Sequence, residues 1–193
     1  MERRPLSLFD GSGCRKYLTQ GERKAFLRAA KRVEPDISRF CRTLAYSGCR
    51  ISEALALTWD RVDTAHGLLI FESLKKRRRG IYRAVPVPPT FINDLRTSRN
   101  EDSDASRIWR WSRSTAWRHV CAVMESAGIT GNHASPKGLR HGFGVHAVSS
   151  GVPLNMLQKW LGHAQISTTA IYADATGPEE KRIAAWMWGA DAA

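Results

Sequence analysis

Acidic side chains are scarce in this 193-residue chain: 18 Asp and Glu stand against 30 Lys and Arg, leaving a formal net charge of +12. Cysteine is thin as well. Cys14, Cys41, Cys49 and Cys121 include no CxxC pair and no surrounding His cluster, which argues against a zinc site and a disulfide framework and fits free thiols. No apolar run reaches the ~20 residues that cross a bilayer, and the N-terminus lacks the apolar stretch of a signal peptide, so the expectation is a soluble, cytoplasmic protein with no membrane partner. Internal repeats and low-complexity tracts are missing too. Neither a Gly-rich ATP loop nor an Asp/Glu cluster suited to Mg²⁺ is found, so no cofactor and no metal are expected.

What is present is enough apolar material to fold. A hydrophobic fraction of 42% with seven Trp offsets the ordering entropy that keeps polar chains disordered. At roughly 100–200 residues per domain the length suits one unit with a short extension. The pI near 10.1 points to a polyanion, with nucleic acid ahead of an acidic protein ligand, an anionic membrane or a merely basic surface.

Residues 1–18 read as a leader containing Gly11 and Gly13. Thr19-x-x-Glu22 has capping-box spacing, and Phe26, Leu27 and Ala30 then recur on one helical face. Pro35 ends that helix or opens the next, where Ile37, Phe40, Cys41, Leu44 and Ala45 keep the period; a short helix after Gly48 carries Ile51, Ala54, Leu55 and Leu57. At His66-Gly67 the pattern changes. Leu68–Phe71 and Ile81–Val87 read as two strands of a hairpin with a basic tip. Helical spacing returns over 90–99, 112–127, 136–149, 153–161, 166–173 and 178–188, punctuated by Pro136, Pro153, Gly128, Gly151 and Gly162. The fold class is therefore α+β, mainly α, with one small antiparallel sheet.

The tip holds Lys75, Lys76, Arg77, Arg78, Arg79 and Arg83 within nine residues. Unpaired cations cost several kcal/mol each to bury, so the run faces solvent or an anion; a solvated tip and strands projecting cations toward DNA both fit. SPKGLRHGFG at 135–144 and WLGHAQISTTAIYAD at 160–174 set Arg140, His163 and Tyr172 on or beside successive helices. Arg50 opens a helix among Ile51, Leu55 and Leu57, where a core-edge arginine paired with Glu53 is as good a reading as a functional one.

In order as well as content these segments resemble the catalytic domain of the tyrosine recombinases, the phage integrase family. SGCRISEALALTWDRVD resembles its first box; KGLRHGFGVHAVSSG with LNMLQKWLGHAQISTTAIYA resembles its second, over residues 20–188 in all. The resemblance places the family's arginines on Arg50 and Arg140, its histidine on His163, its nucleophile on Tyr172, and its lysine on Lys75, with Lys76 adjacent. Lys137 stands where the family usually has a His. His141 reads as structural, and His133 and His146 receive no role.

The chemistry so implied is attack of a tyrosine hydroxyl on a DNA phosphodiester, giving a 3′-phosphotyrosyl link and a free 5′-hydroxyl. Two guanidinium forks and His163 would bind the non-bridging oxygens; Lys75 would protonate the leaving oxygen; Lys137 would serve as a fixed cation or a proton acceptor. Arg140→Ala is expected to abolish cleavage and leave the fold intact. The domain layout implied is a leader over 1–18, the catalytic domain over 19–176, and a tail over 177–193 whose Trp186 and Trp188 anchor it on a neighbouring protomer or on its own domain. Partners implied are double-stranded DNA, a homotetramer on two duplexes, and accessory proteins or a full-length recombinase. Family members normally carry a DNA-clamping helical domain before the catalytic one, so the chain reads as a catalytic fragment or as a short protein that binds DNA weakly alone. A DNA-binding regulator without strong activity, or a relaxing enzyme of the type IB topoisomerase kind, are the competing functions.

Overall fold

The first helix starts where the capping spacing puts it. In the computed structural model, which describes residues 7–73, 80–99, 105–174 and 184–185, the Thr19 hydroxyl accepts from the Glu22 N–H at 3.3 Å and the Glu22 carboxylate accepts from the Thr19 N–H at 2.9 Å. Such reciprocal capping contributes about 1 kcal/mol by satisfying orphan donors. Helix α1 (Gln20–Ala30) buries Phe26 and Ala30. Helix α2 (Pro35–Ser47) opens on Pro35, buries Phe40, Cys41, Leu44 and Ala45, and stops at Gly48, whose φ of 62° is left-handed and strained for any residue with a Cβ. Helix α3 (Ile51–Leu55) follows directly.

Three antiparallel strands then form a sheet in the order β1 (Val62–Asp63), β2 (Leu68–Glu72), β3 (Tyr82–Pro86). The expected hairpin is present, with Leu69 opposite Val85 and Phe71 opposite Arg83. The extra strand β1 has only two residues, too few for alternation to reveal it. Leu69, Phe71 and Val85 point into the core, and because side chains on one face recur every second residue, Arg83 shares the inward face with Val85.

The rest is helical: α4 (Pro89–Thr97), α5 (Arg113–Ser126), α6 (Pro136–Ser149), α7 (Leu154–Leu161) and α8 (Ser167–Ala170). Buried apolar residues of α1 to α5, β2 and β3 join one cluster; a second gathers Leu8, Tyr17, Phe143, Val145, Leu157, Leu161, Ile171 and Tyr172. Helix α6 contributes to both, through Leu139 and through Phe143 and Val145, so its N-terminal turns lie at their seam. The described part of the expected leader is not loose. Phe9 and Arg15 form an antiparallel bridge, Leu8, Tyr17 and Leu18 are buried, and the Leu18 N–H donates to the Gly138 carbonyl at 3.2 Å, because three apolar side chains there find a surface on α6. The C-terminal helix expected over 178–188, with Trp186 and Trp188, lies outside the described residues apart from Ala184 and Ala185, which are helical. Among the described residues no helix is long and apolar enough to cross a membrane.

Candidate active site

Arg50 immediately precedes α3. Its N–H donates to Glu53 Oε2 at 2.7 Å and its Nη1 to Oε1 at 2.8 Å, so one carboxylate both caps the helix and holds the guanidinium. Glu53 is 1% exposed and also receives Nη2 of Arg83 at 2.6 Å. Burial pushes the Glu53 carboxyl up, but the charges and hydrogen bonds of Arg83 and then Arg50 outweigh it and hold the group ionised, below the usual carboxylate range. Both readings of Arg50 thus hold at once: it is paired with Glu53 and it borders the cavity described below.

Arg83 is a correction. Sequence reasoning groups it with the solvent-facing cations of the tip as a DNA contact, whereas it is 6% exposed, donates through Nε to the Trp160 carbonyl at 2.7 Å, and lies over the Phe71 ring. Strand alternation turns it inward, and Glu53 supplies the counter-charge that makes the burial tolerable. The remaining cations of that run, Lys75, Lys76, Arg77, Arg78 and Arg79, lie outside the described residues.

Arg140 stands on the second turn of α6, nearly buried, with Nη1 donating to the Gly48 carbonyl and Nη2 to the Leu161 carbonyl, each at 2.7 Å. Burial, together with the like charge of Arg50, brings its guanidinium down to about 10. These two bonds revise the expectation for Arg140→Ala: truncation leaves two carbonyls without their donor, each at about 1–3 kcal/mol if buried, so the fold would be weakened as well as the chemistry. Lys137, one turn earlier, is exposed at the rim.

His163 follows Gly162, the C-cap of α7. Its Nδ1 lies 2.9 Å from the buried Thr169 hydroxyl; with that hydroxyl as donor, Nε2 carries the ring hydrogen and is free to donate. Burial, then Arg140 and Arg50, press the ring down to about 3, so it is neutral near pH 7.

Tyr172 comes just after α8 and is 1% exposed. A Cβ built on Gly144 would fall 2.5 Å from its ring, so only glycine at that point of α6 leaves room for the phenol. The ring stacks on His163, centroids 6.4 Å apart and planes at 12°. Its hydroxyl is 3.1 Å from Nδ1 of His141. Burial raises the phenol above its ordinary 10, with Arg140 and Arg50 pulling the other way.

These side chains meet. Arg50, Lys137, Arg140, His163 and Tyr172 line one cavity of about 420 Å³, with His141, Arg113, Trp117, Ser135 and Thr168 completing much of its wall. Of the residues expected to act together, only Lys75 is not described there. The sequence reads His141 as structural, and it singles out neither Thr169 nor Trp117. A signal existed for the first two, since His141 adjoins Arg140 and Thr169 lies between His163 and Tyr172 in the same motif; a lone exposed Trp on α5 offered none.

The residue 16–178 stretch matches the phage integrase family. The chain is 36% identical over 149 residues to tyrosine recombinase XerD of Mycobacterium tuberculosis, an alignment covering 69% of this chain and 46% of that protein. A crystal structure of XerA recombinase superposes with a TM-score of 0.74 at 25% identity, over 92% of this chain and 65% of that one. A XerH site-specific recombinase bound to its difH substrate in a pre-cleavage complex superposes with a TM-score of 0.70 at 18% identity, over 93% of this chain and 59% of that one. The chain belongs to the phage integrase family and has the fold of a tyrosine recombinase catalytic domain. It spans about half the length of the curated relatives it matches.

Proposed function

We propose that this domain cuts and rejoins double-stranded DNA as a site-specific recombinase, by attack of the Tyr172 hydroxyl on a backbone phosphodiester. The new bond joins the phenolic oxygen to phosphorus, the bond to the 5′-oxygen breaks, and a 3′-phosphotyrosyl link and a 5′-hydroxyl result. Resealing is the reverse attack by a 5′-hydroxyl. What supports the reading is the convergence of Arg50, Arg140, His163 and Tyr172 on one cavity.

The roles follow from charge and geometry. Negative charge gathers on the non-bridging oxygens as the phosphorus becomes five-coordinate. Arg50 is oriented by Glu53 and Arg140 by two carbonyls, so both guanidiniums are fixed before substrate arrives and spend little reorganisation on it. His163, neutral and with Nε2 available, donates a hydrogen bond rather than a charge. Lys137 is the rim cation, and Lys75 is the candidate acid for the leaving 5′-oxygen. The wider reading assigns the basic residues 76–79 to the DNA backbone, the tail over 177–193 to a neighbouring protomer, a tetramer to the working assembly on two duplexes, and the cytoplasm to its place of action on a mobile element.

The decisive experiment incubates the protein with nicked suicide duplexes of randomised sequence and looks for a covalent adduct on a denaturing gel. Adduct formed by the natural chain and lost in Tyr172→Phe, with DNA affinity retained, is the expected result. Salt-sensitive binding with no adduct across the whole library would instead make it a DNA-binding regulator, and relaxation of site-free supercoiled plasmid a topoisomerase-like enzyme.

A further inference from the structure

We propose that His141 is the positioning residue for the nucleophile: its Nδ1 accepts the hydrogen bond of the Tyr172 hydroxyl and holds that oxygen in the cavity, aimed where the phosphodiester would lie. This rests on the function proposed above.

The phenol has three kinds of neighbour. Gly144 sets how deep the ring can sit, and the stacked His163 ring sets its plane. Neither fixes the direction of the hydroxyl hydrogen. The hydrogen-bond partner found for it among the described residues is His141 Nδ1 at 3.1 Å, with the two rings 5.9 Å apart and tilted by 52°. A tether from outside the local segment is needed, because Tyr172 follows a helix of only four residues, Ser167–Ala170, whose own hydrogen bonds brace it weakly. His141 sits instead on the 14-residue α6, next to Arg140, so one rigid element carries both a phosphate-binding fork and the anchor of the attacking oxygen.

The role is to aim the hydroxyl, not to remove its proton. Burial, then Lys137, Arg140 and Lys16, press the His141 ring down to about 4, while the phenol stays above its ordinary 10. A ring held that far down and a phenol held up both oppose full transfer of the proton. The same low proton affinity keeps the ring neutral near pH 7, and with its hydrogen on Nε2 the ring presents Nδ1 as the acceptor.

Asparagine places a carboxamide where the Nδ1 side of the imidazole lies, and its oxygen can accept a hydrogen bond but cannot take up a proton. The experiment measures adduct formation on a nicked suicide duplex, under saturating DNA, for the natural chain, His141→Ala and His141→Asn, with DNA affinity and melting temperature recorded alongside. Loss of aim costs roughly ten- to a hundredfold in rate; His141→Ala should show it with affinity unchanged, and His141→Asn should recover most of it. A normal rate in His141→Ala overturns the proposal. So does an Asn variant that folds and binds DNA yet is as slow as Ala, since that result would make the imidazole a proton acceptor. A second readout is independent of cleavage: the ¹⁵N shift of His141 Nδ1 in DNA-free protein should move in Tyr172→Phe, and an unmoved signal would mean that the hydrogen bond does not exist in solution. Failure of the natural chain to form any adduct would count against the recombinase reading while the nitrogen shift still decided the contact.

Discussion

Arg140 shows why the site needs a guanidinium there and not merely a positive charge. Its two terminal nitrogens already hold the Gly48 and Leu161 carbonyls, residues 92 and 21 positions away in sequence, so the fork joins the end of α2 to the end of α7 while the rest of the group borders the cavity. A lysine carries the charge on a single ammonium and cannot span both carbonyls in a fixed plane. Arg140→Lys should therefore lower the adduct-forming rate by about 10²–10³ and also cost about 1–3 kcal/mol of stability, the first read on suicide duplexes and the second from urea unfolding. A slow enzyme of normal stability would show that the carbonyl bonds are incidental. At this scale much of the site was legible from residue type and order: Arg50, Arg140, His163 and Tyr172 do share a cavity. The Arg50–Glu53 pair was legible too; what could not be read are the Glu53–Arg83 pair and the His141–Tyr172 contact, which depend on which side chains the fold turns toward one another.

Arg83 links three elements. From β3 it reaches Glu53 on α3 and the carbonyl of Trp160 on α7, and so ties the sheet both to the support of Arg50 and to the helix that ends just before His163. Breaking a buried ion pair costs about 3–5 kcal/mol when the other charge is left alone; Arg83→Met leaves Glu53 with Arg50, so it should lose part of that amount, and Glu53→Gln in the same chain should restore some of it. DNA binding supplies the sharper test. Each phosphate-contacting cation adds close to one to the slope of log affinity against log salt, so an Arg83 that touches no phosphate leaves that slope unchanged in Arg83→Met, whereas a DNA-contacting one would reduce it by about one. The inward turn of Arg83 is legible in the sequence: the spacing of Arg83, Val85 and Val87 is the period-two signature of one strand face, masked by the cations around it. The main helices and the two longer strands were likewise readable from period, Pro and Gly. Strand β1 was not, and neither was the packing of residues 7–18, since a few apolar residues among Gly and charge carry no period of their own.

Over the whole molecule the burial of two histidines at the cavity, reinforced by the positive charge around them, makes an acid-sensitive fold. His141 and His163 both sit well below the ordinary 6.5, at about 4 and about 3, chiefly through burial and further through Lys137, Arg140, Lys16, Arg50 and Arg83. In the unfolded chain both rings take up protons as pH drops through about 6.5, whereas in the folded chain they stay neutral until about 4 and below; between these limits the unfolded state holds more protons, so stability falls as pH falls. His141 alone corresponds to a loss on the order of 3 kcal/mol by pH 4, and His163, more exposed, to less than its larger displacement implies. Glu22, held down to about 2 although burial works against it, through its bonds to Arg15 and Thr19, takes effect only below its ordinary 4.5. The interval between about pH 6.5 and 4.5 therefore belongs to the histidines, and the urea midpoint should drop across it in the natural chain and stay nearly level when His141 and His163 are both replaced by Asn. A bound phosphodiester works against the smaller of the two causes, because its negative charge offsets the cations beside the rings and raises both proton affinities. Duplex DNA should accordingly shrink the acid loss and be bound with proton uptake near pH 5, measurable as a buffer-dependent heat. An acid loss that persists undiminished in saturating DNA would mean that no phosphate enters the cavity.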